Sequence, residues 1–378
     1  MDTFDVAIVG GGVMGSAAAW QLARRGAAVV LLEQFAAGHT NGASHGASRI
    51  FRLSYPDAGY IRLAREAEGL WRELEHVTGA RLLTVTGGVD HGDHPSLHEL
   101  ADGLAASGVP HRWLRPEEAA ERWPGIRFAT AALYHPDSGR LHADRAVAAF
   151  QEAAEKLGAV VRHETPVRAI EPRGDETVLV HTDAGGYRVR RVVAAVNGWA
   201  KKLLPTVPLP PLKVTQEQPA HFAARVAEPG WPSFGHRFAD PGHFHGGIYG
   251  LATPGEGIKV GFHGVGPEVD PDDRDFTPEP VQLAALREYA RRWLPGVDPD
   301  VFAPISCTYT TTPDANFVLE RHGPIVVATG FSGHGFKFAP AVGRILADLA
   351  ASGRSRPLSP VPVRSWPLPV APGCSRPD

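Results

Sequence analysis

The chain has 378 residues, of which 43% are hydrophobic and 21% charged, the balance of an ordinary globular enzyme. Its formal net charge of −3 argues against a nucleic acid or an anionic membrane surface as partner, and no apolar run approaches the roughly 20 residues that span a bilayer. Because one hydrophobic core rarely serves so long a chain, we expect two closely joined domains.

The two cysteines, Cys307 and Cys374, are too few for a disulfide framework, which fits a reducing compartment. Met1 leads into an apolar strand without a basic segment, so we predict no secretory signal and a cytoplasmic location. Residues 354–378 are rich in proline and serine and are interpreted as a C-terminal tail.

A glycine-rich turn follows the first predicted strand. Residues 4–9 read as an apolar strand, residues 16–25 as an alanine-rich helix and residues 29–32 as a second buried strand. The sequence between the first strand and the helix contains Gly-Gly-Gly-Val-Met-Gly. This arrangement is typical of a Rossmann-type βαβ unit.

The spacing of the glycines has a physical reason. Gly10 makes the tight turn, Gly12 lets the backbone approach a pyrophosphate, and Gly15 lets the helix pack closely on the strand. Glu33, at the end of the second strand, is placed to accept hydrogen bonds from a ribose diol and disfavours a 2′-phosphate. The residues therefore predict a bound FAD or NAD rather than NADP.

Two arginines lie three positions apart in a glycine- and serine-rich stretch over residues 36–60. Arg49 and Arg52 flank an Ile-Phe pair that reads as buried. Either both arginines lie in a solvated surface loop, or one lies at the cofactor and the other binds a substrate carboxylate. The local sequence leaves both interpretations open.

Histidines recur in two segments after the helix that we predict over residues 61–77. His91, His94 and His98 fall in a predicted polar loop, and two more histidines lie within residues 243–245. Neither segment offers a regular element that would fix metal-ligand geometry, so we expect no metal site.

The second half of the chain changes character twice. Residues 143–157 predict a helix, the hairpin turn at 183–186 joins two short strands, and proline increases between 205 and 304 while strands there read as antiparallel. A strand over residues 326–329 and a helix over residues 339–350 then return to the strand–helix pattern of the N-terminal part. We predict an α/β fold with a discontinuous Rossmann-type dinucleotide-binding domain (1–80, 141–205 and 306–353) and an α+β, antiparallel-sheet substrate domain (81–140 and 206–305).

One predicted strand, residues 258–263, alternates between two faces. Lys259 and His263 share its polar face with Gly261 and would stand about 13 Å apart. The segment is either a half-exposed edge strand with its lysine in water, or a polar face over a cavity in which the glycine leaves room for a ring system.

A second glycine-rich turn, over residues 330–335, follows an apolar strand and precedes a helix. The N-terminus of this helix has a partial positive charge, which would face a bound anion such as a reduced cofactor. Cys307 lies upstream and Lys337 at the helix start. A simple nucleotide fold needs neither residue, so together they suggest a flavin oxidase.

These motifs resemble one known family over nearly the whole chain, roughly residues 4–349. The chain is similar to the monomeric sarcosine oxidase and N-methyltryptophan oxidase family, FAD-dependent amine oxidases related to D-amino-acid and glycine oxidases. The resemblance rests on five segments: Gly10-x-Gly12-x-x-Gly15, Ser44-His45-Gly46-x-Ser48-Arg49-x-x-Arg52, Lys259-x-Gly261-x-His263, Cys307-x-Tyr309, and Gly-Phe-Ser-Gly-His-Gly-Phe-Lys337-Phe.

The resemblance implies a role for each matching residue. It implies FAD bonded covalently through Cys307, an oxygen-activating Lys259, and His45 and Arg49 beside the flavin, with His263 also in the catalytic set. It implies a substrate site made of Arg52, Tyr249, Tyr309 and Lys337. The cofactor-binding residues it implies are Gly10, Gly12, Val13, Met14, Gly15, Glu33, Gln34, Ser44, His45, Ser48, Arg49, Val167, Cys307, Gly333, Gly335, Phe336 and Lys337.

The chain departs from the family pattern at three places. Ala47 replaces an acidic residue, Asn197 stands where a glycine is expected, and residues 55–60, which border the substrate entrance in the family, differ from the usual sequence. The last departure bears directly on the identity of the substrate.

The resemblance implies an FAD-dependent oxidase of a secondary-amine amino acid that forms an imine and reduces O2 to H2O2. Its partners would be a small amine or imino acid and O2, and we expect a monomer. One alternative is a tailoring oxidase of a cyclic imino acid or a carrier-tethered amino acid. Others are a flavin dehydrogenase with an acceptor other than O2 and a non-catalytic flavin-binding protein.

Overall fold

The computed structural model describes residues 1–227, 230–240, 242–244 and 247–351. The predicted tail, His245 and the side chain of His243 lie outside the described part. Its helices are α1 (Val13–Ala23), α2 (Ala58–Thr78), α3 (Ser96–Ala106), α4 (Pro116–Arg122), α5 (Ala143–Glu155), α6 (Ala200–Leu203), α7 (Pro280–Trp293) and α8 (Ala339–Ala351).

The strands form two large and two small sheets. They are β1 (Asp2–Val9), β2 (Val29–Leu32), β3 (Arg49–Phe51), β4 (Leu83–Val85), β5 (Gly88–Gly92), β6 (Arg112–Leu114), β7 (Ala132–His135), β8 (Gly139–Leu141), β9 (Val160–Arg162), β10 (Val167–Pro172), β11 (Val178–Thr182), β12 (Gly185–Ala194), β13 (Lys213–Glu217), β14 (Ala220–Ala224), β15 (Ser233–Arg237), β16 (Ile248–Thr253), β17 (Gly257–Phe262), β18 (Val297–Pro304), β19 (Cys307–Thr311), β20 (Val318–His322) and β21 (Ile325–Thr329).

The first large sheet is built from both ends of the chain. Its main path runs β10-β11-β12-β1-β2-β9, and β21 pairs with β12 and β20. The pairs β12·β1, β1·β2, β2·β9 and β12·β21 are parallel, as a βαβ fold requires. The predicted discontinuous Rossmann-type arrangement is therefore confirmed.

Successive residues of β1 pack into different cores because strand side chains alternate between the two faces. Val6 and Ile8 join the cluster formed with α1, α2, α5 and α8. Ala7 and Val9 pack on the other face with residues of β11 and β12. Burial on both faces explains why β1 and β2 are continuously apolar.

The second large sheet carries most of the predicted substrate domain. Its order is β18-β14-β17-β16-β15-β5-β7-β6. All its pairs are antiparallel except β15·β5, which is parallel, and residues of α7 and α4 pack in its core. The predicted antiparallel sheet therefore contains one parallel pair of strands. The boundaries of the two domains stay a prediction.

The two small sheets connect distant parts of the chain. Strand β13 pairs with β19, and β3 and β4 both pair with β8. As a result Arg49 on β3 and Cys307 on β19 are brought from opposite ends of the sequence to one region.

The histidine-rich segment that we predicted as a loop contains the end of a strand and the start of a helix, with His94 in the short connection between them. His91 lies on β5 and is fully buried, and His98 lies on α3. Helix α7 was also not predicted. In the part of the chain that the structure describes, no helix is both long and apolar enough to cross a membrane.

Candidate active site

The glycines of the first turn are required by close backbone contacts. A Cβ atom on Gly15 would lie 1.9 Å from the carbonyl oxygen of Gly10, whose own φ is +100°. At Gly12, the residue before α1, an added Cβ would lie 3.1 Å from Oγ of Ser44. Gly10 and Gly15 therefore fix the turn, whereas Gly12 keeps space open in front of α1, whose first residues are Val13 and Met14.

Glu33 is held at the end of β2 by two backbone donors. Its carboxylate accepts hydrogen bonds from the N–H of Gly11 at 2.7 Å and from the N–H of Phe35 at 2.9 Å. Each carboxylate oxygen keeps further acceptor capacity, so the side chain can still bind a ribose hydroxyl.

The serines predicted to bind the cofactor have different surroundings. The hydroxyl of Ser44 accepts a hydrogen bond from the N–H of Val13 at 3.0 Å and so satisfies a donor of the first turn of α1. Ser48 is buried, and its hydroxyl lies 2.6 Å from that of Thr253. Of the two, only Ser44 lines the large cleft described next.

A cleft of about 720 Å³ joins the two glycine-rich turns. Its volume lies in the range of small-molecule and cofactor pockets. Gly15, Ser48 and Lys337 do not line it. The predicted cofactor residues that do are Gly10, Gly12, Val13, Met14, Glu33, Gln34, Ser44, His45, Arg49, Val167, Cys307, Gly333, Gly335 and Phe336.

The polar atoms of the cleft fit a large polar ligand. Nε2 of His45, Nδ1 of His163, Oδ1 of Asn197 and Oγ1 of Thr310 are buried without a hydrogen-bond partner among the described residues. All four residues line the cleft. An unsatisfied buried polar group costs about 1–3 kcal/mol, so a dinucleotide that pairs with them would be stabilised by the site.

Arg49 and Cys307 meet at one end of this cleft. Nη2 of Arg49 lies 3.8 Å from Sγ of Cys307, which is only 9% exposed. The guanidinium also donates to the carbonyl oxygens of Ser48 at 2.8 Å and Ala43 at 2.9 Å. These bonds exclude the solvated surface loop as the position of Arg49 and fix a cation beside the thiol.

Three predicted pocket residues are connected through Tyr309, which lies close to Cys307. The hydroxyl of Tyr309 lies 3.4 Å from Nδ1 of His263, and Tyr249 is hydrogen-bonded to Tyr309. A Cβ atom on Gly261 would lie 2.7 Å from the Tyr249 hydroxyl, so the space that this glycine leaves holds that hydroxyl. Burial, with the charges of Arg52 and Arg237, lowers the pKa of His263 to about 4, which keeps the imidazole neutral at pH 7.

Arg52 and Lys337 both contact Tyr55. Nζ of Lys337 donates to the Tyr55 hydroxyl at 2.9 Å and to the carbonyl oxygen of His334 at 2.6 Å. The guanidinium carbon of Arg52 lies 5.1 Å from the centre of the Tyr55 ring. Burial, with the charge of Arg52 second, holds the pKa of Lys337 well below its ordinary value. Two basic groups therefore converge where the resemblance implied a carboxylate site.

Asp90 is a functional candidate that the sequence did not reveal. Its Oδ1 lies 3.8 Å from Nη1 of Arg52, while Oδ2 accepts a hydrogen bond from the Ser54 hydroxyl at 3.0 Å and lies 3.0 Å from Nε2 of His135. Although burial would raise the pKa of Asp90, His135 and the neighbouring arginines hold it below its usual range. A buried charge thus orients Arg52, and nothing in the local sequence Gly-Val-Asp-His-Gly of β5 pointed to this role.

Lys259 lies on an interior strand, so the edge-strand interpretation of residues 258–263 is wrong. Strand β17 pairs with β14 on one side and β16 on the other, and Lys259 is 5% exposed. Burial, followed by the charge of Arg49, lowers the pKa of Lys259 to about 7. Lys259 and His45 line a second cavity of about 310 Å³, and His45 also lines the large cleft.

Within the described ranges no group of three or more His, Cys, Asp or Glu side chains could hold a metal ion. His91 stacks on His236 at 3.9 Å between ring centres, and His98 packs against Trp113. These histidines belong to aromatic clusters rather than to one site.

A Rossmann turn that shares one cleft with a buried cysteine and arginine defines a dinucleotide-dependent oxidoreductase. The chain belongs to the family described as FAD dependent oxidoreductase, whose model matches residues 5–349. It is 32% identical to monomeric sarcosine oxidase from Bacillus sp. (strain NS-129), over 93% of this chain and 94% of that protein.

Two further comparisons agree. The chain is 34% identical to human peroxisomal sarcosine oxidase, over 92% of each chain. The solved structure of NikD, an unusual amino acid oxidase essential for nikkomycin biosynthesis, superposes with a TM-score of 0.86 at 29% identity, over 97% of this chain and 99% of that one. The predicted family, fold class and FAD dependence are confirmed, and the protein is an FAD-dependent oxidoreductase that acts on amino acid C–N bonds.

Proposed function

We propose that the protein oxidises a secondary-amine amino acid of the N-methyl type to an imine and passes the electrons to O2, releasing H2O2. The observation that carries this proposal is the convergence of Arg52 and Lys337 on Tyr55, close to neutral His263 and to Tyr309. Basic donors suit a carboxylate, and a buried imidazole that is neutral at pH 7 suits a neutral amine.

In this proposal the chain's own residues place the substrate. Arg52, oriented by Asp90, and Lys337 bind the carboxylate, while Tyr249, Tyr309 and His263 enclose the amine end. Bound FAD supplies the acceptor of a hydride and returns the electrons to O2. Water then hydrolyses the imine, which for an N-methyl amino acid gives formaldehyde and the primary amino acid.

The residues that would hold the flavin are those of the large cleft. Glu33 and the turn at Gly10, Gly12 and Gly15 would bind the adenosine diphosphate end, and Cys307 would bond covalently to the ring system. Arg49 and His45 would neighbour the ring, and the backbone around Gly335 would support negative charge on it.

Lys259 is proposed to serve the reaction with oxygen. Its ammonium is buried next to Arg49, and positive charge there stabilises the negative charge that O2 gains on reduction. Because Nζ makes no hydrogen bond to a described residue, its charge is not already committed to a partner.

We propose in addition that the protein acts as a monomer in the cytoplasm, with its cofactor and substrate domains divided at the boundaries predicted above. The designation of the Bacillus relative as monomeric supports the first point.

A second function, tailoring of a cyclic imino acid or a carrier-tethered amino acid, is favoured by the similarity to NikD over nearly the full length. One assay separates the two. Turnover is measured with sarcosine, N-methyltryptophan, proline and pipecolate while H2O2 and formaldehyde are quantified together. Equal amounts of both products from an N-methyl substrate support the proposal; peroxide formed only from cyclic substrates, without formaldehyde, rejects it in favour of the second function.

A further inference from the structure

The second cavity lies beside Lys259, and several polar side chains stand in its otherwise apolar wall. Its volume is about 310 Å³, and its lining includes Lys259, His45, His221, Glu256 and Phe276. His45 also lines the large cleft, so this one side chain borders both spaces. A cavity of this size holds several water molecules if enough polar groups face it.

His221 faces Lys259 across the sheet. The two residues are directly opposed in the antiparallel pair β14·β17, which places their Cβ atoms about 5 Å apart on the same face. His221 is 7% exposed, and its Nε2 has no hydrogen-bond partner among the described residues. A buried imidazole nitrogen without a partner at a cavity wall is a site for an ordered water.

Glu256 connects this histidine to solvent. Its Oε2 lies 3.3 Å from Nδ1 of His221, and its side chain is 46% exposed. A carboxylate at Nδ1 favours the tautomer that carries its proton on that nitrogen, which leaves Nε2 as a hydrogen-bond acceptor inside the cavity. Glu256 and His221 therefore connect the protein surface to the space next to Lys259.

Lys259 is the group of this cavity that changes charge near neutral pH. Burial and nearby cations lower the pKa of His45 and of His221 to about 4, whereas that of Lys259 falls to about 7. The titratable and charged groups around Lys259 are Arg49, Cys307, Glu256, Asp144, His45 and His221. At pH 7 the imidazoles of His45 and His221 are therefore neutral. They can bind water without a positive charge that would repel an incoming proton.

In the proposed reaction the site of oxygen reduction needs one proton that the transferred hydride does not carry. The amine N–H releases an equivalent proton to solvent when the imine forms, so the overall reaction balances. Conversion of O2 to H2O2 takes two electrons and two protons. The hydride removed from the substrate carbon accounts for both electrons and one proton. If Nζ of Lys259 gives the second proton, its neutral amine must recover a proton from solvent before the next turnover.

We propose that this second cavity is the proton route to Lys259, in which His221, positioned by Glu256, holds the water through which solvent protons reach Nζ. The proposal rests on the oxygen-reducing function proposed above. His221 is a positioning residue in it, since it acts through water and Lys259.

The test measures reoxidation alone. The enzyme is reduced by dithionite without oxygen and mixed with O2 at pH 6 to 9, so that no amine substrate is needed. His221→Ala should slow reoxidation about tenfold or more at pH 8, within the range of lost proton-transfer catalysis, and imidazole in the buffer should restore the rate. Glu256→Gln, at an exposed position, should produce a smaller loss in the same direction.

Phe276→Ala is the matched control because it changes the wall of the same cavity without removing a titratable group. It should leave the pH profile unchanged and show no response to imidazole. Reoxidation of His221→Ala at the normal rate, or a loss that imidazole does not restore, overturns the proton route while leaving the proposed function intact. Failure of every amine to reduce the flavin would instead reject the proposed function.

The tautomer supplies a readout that does not depend on turnover. In 15N-histidine NMR spectra, assigned with the His221→Ala variant, His221 should show a protonated Nδ1 and an unprotonated Nε2 at pH 7. Glu256→Gln should shift the signals towards the other tautomer. An Nε2-protonated His221 in the unsubstituted protein contradicts the proposal.

Discussion

Arg49 and Cys307 are 258 positions apart in the sequence, yet Nη2 of the arginine lies 3.8 Å from Sγ of the cysteine. The contact arises because β3 and β19 reach the same end of the cleft from opposite ends of the chain. It gives the cysteine a fixed cation neighbour and an open side towards the cofactor space, and so makes the thiol a candidate for covalent attachment.

Replacement of Cys307 by alanine should release the flavin on acid precipitation. We expect yellow colour in the pellet of the unsubstituted protein and in the supernatant of the variant, measured by absorbance of the two fractions. Cys374→Ser, which changes the second cysteine of the sequence, is the matched control and should keep the colour in the pellet. Colour in the supernatant of the unsubstituted protein would reject covalent attachment.

Loss of the Arg52 charge should weaken binding of the substrate carboxylate. Hydrogen bonds to charged groups contribute about 1.5–3 kcal/mol each, so Arg52→Met should lower kcat/KM by about 10- to 100-fold, chiefly through KM. Arg62→Met, on the exposed side of α2, is the control and should leave both constants unchanged. An unchanged KM in Arg52→Met would show that the substrate carboxylate does not bind at Arg52.

The charge of Lys259 should set the pH dependence of the oxygen reaction. Its ammonium form prevails below a pKa of about 7, so reoxidation should slow as pH rises through 7. In Lys259→Met reoxidation should be slow at every pH, while anaerobic reduction by substrate is far less affected. Equal slowing of flavin reoxidation by O2 and of flavin reduction by substrate would reject the oxygen-activating role of Lys259.

The lowered pKa of Lys259 also predicts that the stability of the folded protein rises with pH, whereas the rate of reoxidation falls. Because the pKa in the folded state lies below the ordinary value of 10.5, the unfolded chain binds more protons between pH 7 and 10.5, and this group disfavours folding most strongly below pH 7. Lys259→Met should therefore raise Tm over that of the unsubstituted protein most at pH 6, and the difference should shrink towards pH 10. A pH-independent difference would show that the amine is not buried as a titrating group.

Gly15 and Gly69 are both helical glycines and should respond oppositely to alanine. The new Cβ at Gly15 would lie 1.9 Å from a backbone oxygen, whereas nothing lies within 4 Å at Gly69. Gly15→Ala should lose bound flavin and fold poorly, while Gly69→Ala should gain up to about 1 kcal/mol of unfolding free energy. Flavin content and urea unfolding measure the two effects; normal flavin content in Gly15→Ala would contradict the tight turn.

Local patterns were sufficient to predict the first βαβ unit. Gly10, Gly15 and Glu33 act within about two dozen residues of each other, and the helix and strands around them have clear apolar periods. Helix α3 was missed because His94 and His98, with the proline between them, suggested a polar loop, although Leu97, Leu100 and Leu104 have helical spacing and are buried.

The parts of the site that depend on sheet order could not be read from the sequence. Whether Lys259 lies on an edge or an interior strand is decided by β14 and β16, and only the interior position buries the lysine at the wall of the second cavity. Asp90 acquires its role in the same way, since Arg52, Ser54 and His135 reach it from other segments. Such contacts have no local signature.

The most direct test of the central claim is anaerobic mixing of the purified, flavin-containing protein with sarcosine and other N-methyl amino acids, followed by admission of O2. We predict that at least one of them bleaches the absorbance of the oxidised flavin without oxygen, and that O2 restores it with one H2O2 formed per flavin. A flavin spectrum that no secondary-amine amino acid bleaches would contradict the account.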